Sequence, residues 1–442
     1  MSQPRLSSSP RAMGLPTLAA VGVNSIIGAG FYLLPAQYFA TAGAWAPVVL
    51  LVVGVLMFAI ALCFAEVGSR FRENGGAYLY VRSAFGPLAG FEIGWILYVS
   101  RVISTASMFA ALVMLVEVTT GRTLGLGATA AMVIPLATVI AAFSIIGGKV
   151  NAGLLTALAV IKVTPVVLLI VLAVHRLEVS ALVPAQPLGL SAAVAAATMA
   201  MFSYAGFENL AIPAGEARDP QRDVPRALLA SLAAGVVLLV GANAVAIGLV
   251  PNLADSRLAL GDAAGIVLGP AGWWAIAATA ILAVAGSNAG AVLANSRLLQ
   301  GLADQGDTWA WFGTRSARFG TPVVAVVISS VLVVALALTG TFQSLVVLAV
   351  GTRLVVYLSV ALAAMRLRRV ERTGAAPPAA YRMPAAPLVL AVVVLGCAGI
   401  LVQMTAVQAV AIVSGLAVGL VLFLARGRPA QAPVTDRPGP EG

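Results

Sequence analysis

Apolar residues run along this chain in blocks of roughly twenty, the length a helix needs to cross a bilayer, with short polar loops between them. The blocks predict twelve membrane helices over 16–42, 45–68, 88–118, 126–146, 151–175, 191–215, 226–250, 264–302, 321–340, 343–366, 386–403 and 405–425. Basic residues test that count. With the N-terminus inside, the cytoplasmic side holds Arg5, Arg11, Arg70, Arg72, Arg82, Lys149, Arg218, Arg222, Arg226, Arg297, Arg315, Arg318, Arg366, Arg368, Arg369, Arg372, Arg382, Arg426, Arg428 and Arg437. Only Arg122, Arg176 and Arg257 fall on the opposite side, as the positive-inside rule requires, and one missed helix would scramble the pattern from that point on.

Composition agrees: 61% of residues are hydrophobic, 10% are charged, and the mean hydropathy is +1.02. The chain reads as an all-α polytopic membrane protein. Topology accounts for the net charge of +10, so no nucleic-acid partner is expected. The polar N-terminus carries no cleavable signal. Cys63 and Cys397 read as membrane-packed thiols, and the single histidine, His175, has no second histidine with which to share a metal. Neither a metal nor a cofactor is expected.

Two helices are weakened in their middles. The first carries Gly28 and Gly30 within NSIIGAGFYLLP, although helix-interior glycine costs about 1 kcal/mol. The sixth, MAMFSYAGFENLAIPAGE, places Glu208 and Asn209 after Ala205, Gly206 and Phe207, with Pro213 a turn later. If spans 1 to 5 and 6 to 10 are two halves, the breaks match. Matching interrupted helices point to an inverted-repeat transporter with a site near the bilayer midplane. Unwinding frees N–H groups that can bind a carboxylate and C=O groups that can bind an ammonium. The alternative for Gly28 and Gly30 is close helix packing.

Four stretches resemble the amino acid/polyamine/organocation (APC) superfamily: GVNSIIGAGFYLLP, ENGGAYLYVRSAFGPLAGFEIGW, FSYAGFENL continuing to GEARDPQRDVPRAL, and NSRLLQGLADQGD. The resemblance implies a five-plus-five inverted repeat, here 16–175 and 191–366, and two added helices within 386–425. It makes residues 1–15 and 426–442 cytoplasmic tails and 367–385 a cytoplasmic linker. It also implies transport of amino acids or related amines by alternating access in a plasma membrane of bacterial inner-membrane type. By the same resemblance, Ser25, Ile26, Gly28, Ala29 and Gly30 hold the substrate α-carboxylate. Phe202, Ser203, Ala205 and Gly206 take the α-ammonium, with Phe202 at an aromatic position that closes over substrate. Ala291 stands where some cationic-substrate relatives carry a stacking tryptophan, which argues against arginine or agmatine.

Three basic residues, Arg101, Lys162 and Arg353, remain inside the membrane, together with the carboxylate Glu208. Lys162 matches a lysine of family members that run without sodium, and a lysine in low dielectric can exchange its proton or stand in for a cation. Proton coupling or exchange, independent of sodium, is therefore expected, with snorkelling to the surface as the alternative. Arg101 and Glu208 are candidates for a deep charge pairing in which Arg101 neutralises Glu208 or an anionic substrate group, or each stabilises nearby helix ends in a wet cavity; Glu208 is also counted among the substrate-binding residues, and Arg101 among the coupling and gating ones. Arg353 is read as reaching the outer vestibule, while Glu66, Glu92 and Glu117 read as interfacial carboxylates at helix ends. Ser287 and Asn288 either face the first break near Lys162 or make interhelical hydrogen bonds.

In the loops, Pro225 is expected in the first turn of the seventh helix, and GEARDPQRDVPRALLAS is expected to interlock with RFRENGG as an inner gate. RRVERTGAAPPAAYRMP reads as flexible. An intramembrane enzyme is disfavoured by the absence of a histidine pair, GxSxG or mid-span aspartate dyad, and a channel by the absence of a repeated pore element. Without an ATP-binding motif the energy comes from gradients. The small and apolar site residues, apart from Glu208 and Arg101, favour neutral amino acids; direction and oligomeric state are not legible.

Overall fold

The computed structural model describes residues 13–72, 75–146, 152–211, 217–374 and 377–426. The sequence features at 1–12 and 427–442, Lys149 and Asn151, Pro213, Gly215 and Glu216, and Glu73 and Asn74 of the RFRENGG loop lie outside the described residues.

Among the described residues the chain is helical, with one isolated parallel bridge between Met13 and Ala217. The helices are α1 (Leu15–Ile26), α2 (Ala29–Leu33), α3 (Pro35–Ala42), α4 (Ala46–Gly68), α5 (Ala77–Phe85), α6 (Pro87–Thr120), α7 (Leu126–Ile145) and α8 (Ala152–Ala173). They continue with α9 (Leu190–Tyr204), α10 (Pro220–Leu249), α11 (Ala259–Leu268), α12 (Pro270–Asp304), α13 (Val323–Thr339), α14 (Phe342–Arg372), α15 (Ala386–Val402) and α16 (Ala406–Ala425). Among the described residues nine helical runs are long and apolar enough to cross a membrane, and four more apolar helices, α1, α11, α13 and α15, are shorter. Helices are the form such a chain takes, because they satisfy every backbone polar group within the segment.

α6 is the central strut: it packs along α12 and α14, while α10 packs along α4 and α1. Two short helices, α5 and α11, precede long helices through equivalent junctions. Gly86 and Gly269 adopt φ of 94° and 72°, conformations glycine reaches freely, and each is followed by a proline that starts the next helix. Apolar length alone conceals such a corner, so the predicted span over 264–302 runs straight through Gly269.

Contacts between helix ends sort into two sets. At one end Arg70 and Arg368 pair with Glu66, Arg70 and Arg382 pair with Glu371, and Arg82 and Arg426 pair with Asp307. At the other end Arg257 pairs with Glu117, and Arg176 donates to the carbonyls of Ile266 and Val267. The first set contains residues assigned to the inner side by their basic excess, and the second contains those assigned outside.

Several loop expectations change. Glu66 is only 1% exposed and is bound by Arg368, by Arg70 and by the Met383 N–H, so it is a buried ionic hub rather than a solvated carboxylate. The segment read as flexible is helical to Arg372 and pinned by Glu371 to Arg70 and Arg382. Pro220, not Pro225, occupies the first turn of α10, because the helix starts at Pro220, ahead of the span over 226–250 that hydropathy indicates. Arg72 donates to Gln221 Oε1 at 2.9 Å and Gln221 donates to the Ser69 carbonyl at 3.0 Å, so the described parts of the two loops do touch.

Candidate functional site

The helical run from α1 to α3 is interrupted at Ile27 and Gly28, which are extended before α2 resumes at Ala29. The first N–H groups of α2 therefore have no preceding helical carbonyl. α9 ends at Tyr204; Ala205 is extended, Gly206 has φ 122°, and a 3-10 turn follows over Phe207–Ala211. The two breaks touch. A Cβ on Gly206 would lie 2.4 Å from the Ser25 carbonyl oxygen, and one on Gly30 would lie 2.6 Å from Ser203 Oγ. Gly30 is thus a close-packing glycine, whereas a Cβ on Gly28 would meet only Met108 Cε at 3.9 Å.

A cavity of about 60 Å³ opens at this crossing. Ser25, Ile26, Gly28, Ala29 and Gly30 line it from the first break, and Phe202, Ser203, Ala205 and Gly206 from the second. Tyr38 fixes this wall by sharing a hydrogen bond of 2.6 Å with Ser203.

The floor is polar and largely escaped sequence reasoning. Arg101, Ser104, Thr105 and Met108 of α6 line the cavity at spacings of three and four, one face of a helix. Arg101 alone stands out in the sequence, and that spacing points to the other three. Ala291 and Asn295 of α12, Asn209 beyond the second break, and Arg353 of α14 complete the lining. Arg101 donates through Nε to Asn295 Oδ1 at 3.1 Å and through Nη1 to Asn209 Oδ1. Asn295 passes the network on to Thr105 Oγ1 at 3.0 Å.

Glu208 corrects two expectations. Its partner is Arg353, at 3.0 Å, and not Arg101. Its other oxygen accepts the Gly206 N–H at 2.9 Å, a donor that the break itself leaves without a helical carbonyl. With both oxygens turned to these partners, Glu208 does not line the cavity, so it supports the break and is not in position to touch a ligand. Arg353 correspondingly is buried at 7% exposure, donates to Ser104 Oγ at 3.2 Å, and does not reach an outer vestibule.

Lys162 lies behind the first break, outside the cavity. At 1% exposure it has not snorkelled to a surface: Nζ donates to the Asn24 carbonyl at 3.2 Å and to Ser287 Oγ at 3.0 Å. Tyr32, on the far side of the break, donates to the Lys162 carbonyl at 3.1 Å. Asn288 is fully buried beside Ser287, and its amide finds no hydrogen-bond partner among the described residues. Ser287, Ala291 and Asn295 recur every four residues on α12, so one helix face joins the lysine site to the cavity floor.

Comparison with known proteins places this geometry in context. Residues 13–425 match the family model described as amino acid permease. The chain is 30% identical over 388 residues to cationic amino acid transporter 4, vacuolar, of Arabidopsis thaliana, covering 81% of this chain and 63% of that one. It is 30% identical over 263 residues to cationic amino acid transporter 9, chloroplastic, of the same plant, covering 54% and 46%. It is 24% identical over 282 residues to the methylthioribose transporter of Bacillus subtilis, covering 60% of each. The chain thus spans about half to two thirds of the length of these relatives.

Proposed function

The chain belongs to the amino acid permease family, and from that premise we propose that it is a secondary transporter moving amino acids across a membrane by alternating access. The observation that carries this reading is that one cavity is lined by both helix breaks. In it the substrate α-carboxylate sits on the N–H groups at the start of α2, and the α-ammonium sits on carbonyls at the end of α9. Phe202 closes over the substrate.

The fold supports two inverted halves of five spans each. Taking α1 to α3 as one span, α4, α6, α7 and α8 complete the first half; α9 with its 3-10 turn, α10, α12, α13 and α14 form the second, and α15 and α16 are added. Contacts between halves occur in exchanged pairs, as a two-fold relation requires: α1 with α10 matches α9 with α4, and α6 with α14 matches α12 with α8. Likewise α5 touches α14 as α11 touches α8. The basic excess at one end supports a cytoplasmic placement of that end and of both termini, and the membrane proposed is of bacterial inner-membrane type.

Lys162 is the proposed coupling residue. Its ammonium occupies the place of a cation beside an unwound carbonyl, which favours sodium-independent transport, by proton coupling or by exchange. The cationic side chains transported by the plant relatives, according to their names, fit this cavity poorly, because Arg101 and Arg353 both line it. The substrate class proposed is therefore an amino acid whose side chain carries no positive charge.

The test is uptake of a radiolabelled amino acid panel into proteoliposomes, with and without a pH gradient. Saturable uptake of at least one amino acid is expected, and its absence across the whole panel overturns the reading. Lys162→Met is expected to retain substrate binding and to lose the response to the gradient; an unchanged pH response in that variant removes the coupling role.

A further inference from the structure

The charges around the cavity do not balance. Arg101 and Arg353 both line it, and the one carboxylate at its edge, Glu208, is committed to Arg353 at 3.0 Å. Among the described residues no carboxylate lies within 4.0 Å of the Arg101 guanidinium, and its hydrogen-bond partners are two neutral amides, Asn209 and Asn295. Arg101 is 8% exposed, so it is largely withdrawn from bulk water. A buried guanidinium with no carboxylate in contact is costly, and a carboxylate held by its planar fork is the group that relieves the cost best.

A zwitterionic amino acid with an uncharged side chain brings no net charge and leaves the surplus in place. A cationic one doubles it. An amino acid with an anionic side chain brings one negative charge and cancels it. Lys162, not counted here, adds no negative charge to the balance. Resting on the amino acid transporter reading above, we propose that the preferred substrate is an acidic amino acid whose side-chain carboxylate is bound by Arg101, with Asn209 and Asn295 holding the guanidinium in place.

The two amides make this a prepared position. Asn295 is itself oriented by donating to Thr105 Oγ1, and it takes Nε of Arg101. Asn209 takes Nη1. Two of the three guanidinium nitrogens are thus fixed by groups that position the plane without neutralising it. The apolar part of the wall, including Met108 and Ala291, is suited to the short methylene stem of such a side chain.

The experiment is binding and counterflow with L-glutamate, L-aspartate, L-leucine and L-arginine on purified full-length protein, for wild type, Arg101→Gln and Arg101→Lys. Wild type is expected to prefer the acidic pair over leucine by on the order of 10- to 100-fold, the value of a charge-assisted hydrogen bond. Arg101→Gln is expected to lower that preference by a similar factor, and Arg101→Lys to restore part of it. If Arg101→Gln is not recovered folded, the ratio in Arg101→Lys against wild type carries the comparison. Equal or better binding of leucine or arginine by wild type overturns the acidic-substrate proposal and leaves the transporter reading intact. No binding or flux with any of the four, nor with the wider panel, overturns the transporter reading as well.

Discussion

Gly206→Ala is expected to abolish amino acid uptake. At φ 122° a residue with a Cβ is strained, at about 1–3 kcal/mol. The new methyl would also stand 2.4 Å from the Ser25 carbonyl oxygen, a backbone atom that moves only if the first break moves with it. A combined penalty of about 3 kcal/mol lowers the population of the intact crossing roughly 100-fold. Gly28→Ala is the control, since its methyl would meet only Met108 Cε at 3.9 Å. It is expected to leave folding undisturbed. Uptake and thermal melting of both variants check the contrast; wild-type uptake by Gly206→Ala means that the two breaks do not cross as described.

Arg353→Met is expected to be the most destabilising single change at the site. Glu208 is 4% exposed and Arg353 7%, so removing one partner leaves a buried charge uncompensated, at a cost of about 3–5 kcal/mol. Pairing Arg353→Met with Glu208→Gln is expected to recover much of that loss, because the amide still accepts the Gly206 N–H and carries no charge. The thermal stabilities of the two single variants and the double variant, measured together, read the coupling. Additive losses contradict the Glu208–Arg353 pair, and stronger coupling of Glu208 to Arg101 would restore the pairing expected from sequence.

That pairing illustrates what one-dimensional reading can reach. The broken helices were legible because glycine, glutamate and asparagine are conspicuous inside apolar segments, where lipid makes every such residue costly. Lys162 facing the first break was legible through the family resemblance, whereas Ser287 stood open between that site and an interhelical hydrogen bond. Which arginine meets Glu208 was not. Arg101 and Arg353 sit on different helices, and their reach depends on how α6 and α14 are rotated about their axes, which hydropathy leaves open. The polar floor stayed hidden for a related reason: Ser104, Thr105 and Asn295 look like ordinary small or polar bundle residues until Arg101 identifies the face they share. The helix α11 was obscured because apolar character continues through its glycine–proline corner, whereas α5 fell in the gap between the spans over 45–68 and 88–118. The ionic hub at Glu66 joins α4 to a segment about 300 residues away, through Arg368 and Met383, and no local pattern announces it.

The central claim is that the cavity between the two breaks holds the transported amino acid. A reporter thiol tests it directly. Ala291→Cys places a sulfhydryl on the cavity wall, while the native Cys63 and Cys397 are buried elsewhere. In the reconstituted protein, a transported amino acid is expected to slow maleimide labelling of Ala291→Cys in proportion to its occupancy. Labelling at the same rate with and without a saturating amino acid that the variant still transports would place the substrate somewhere else.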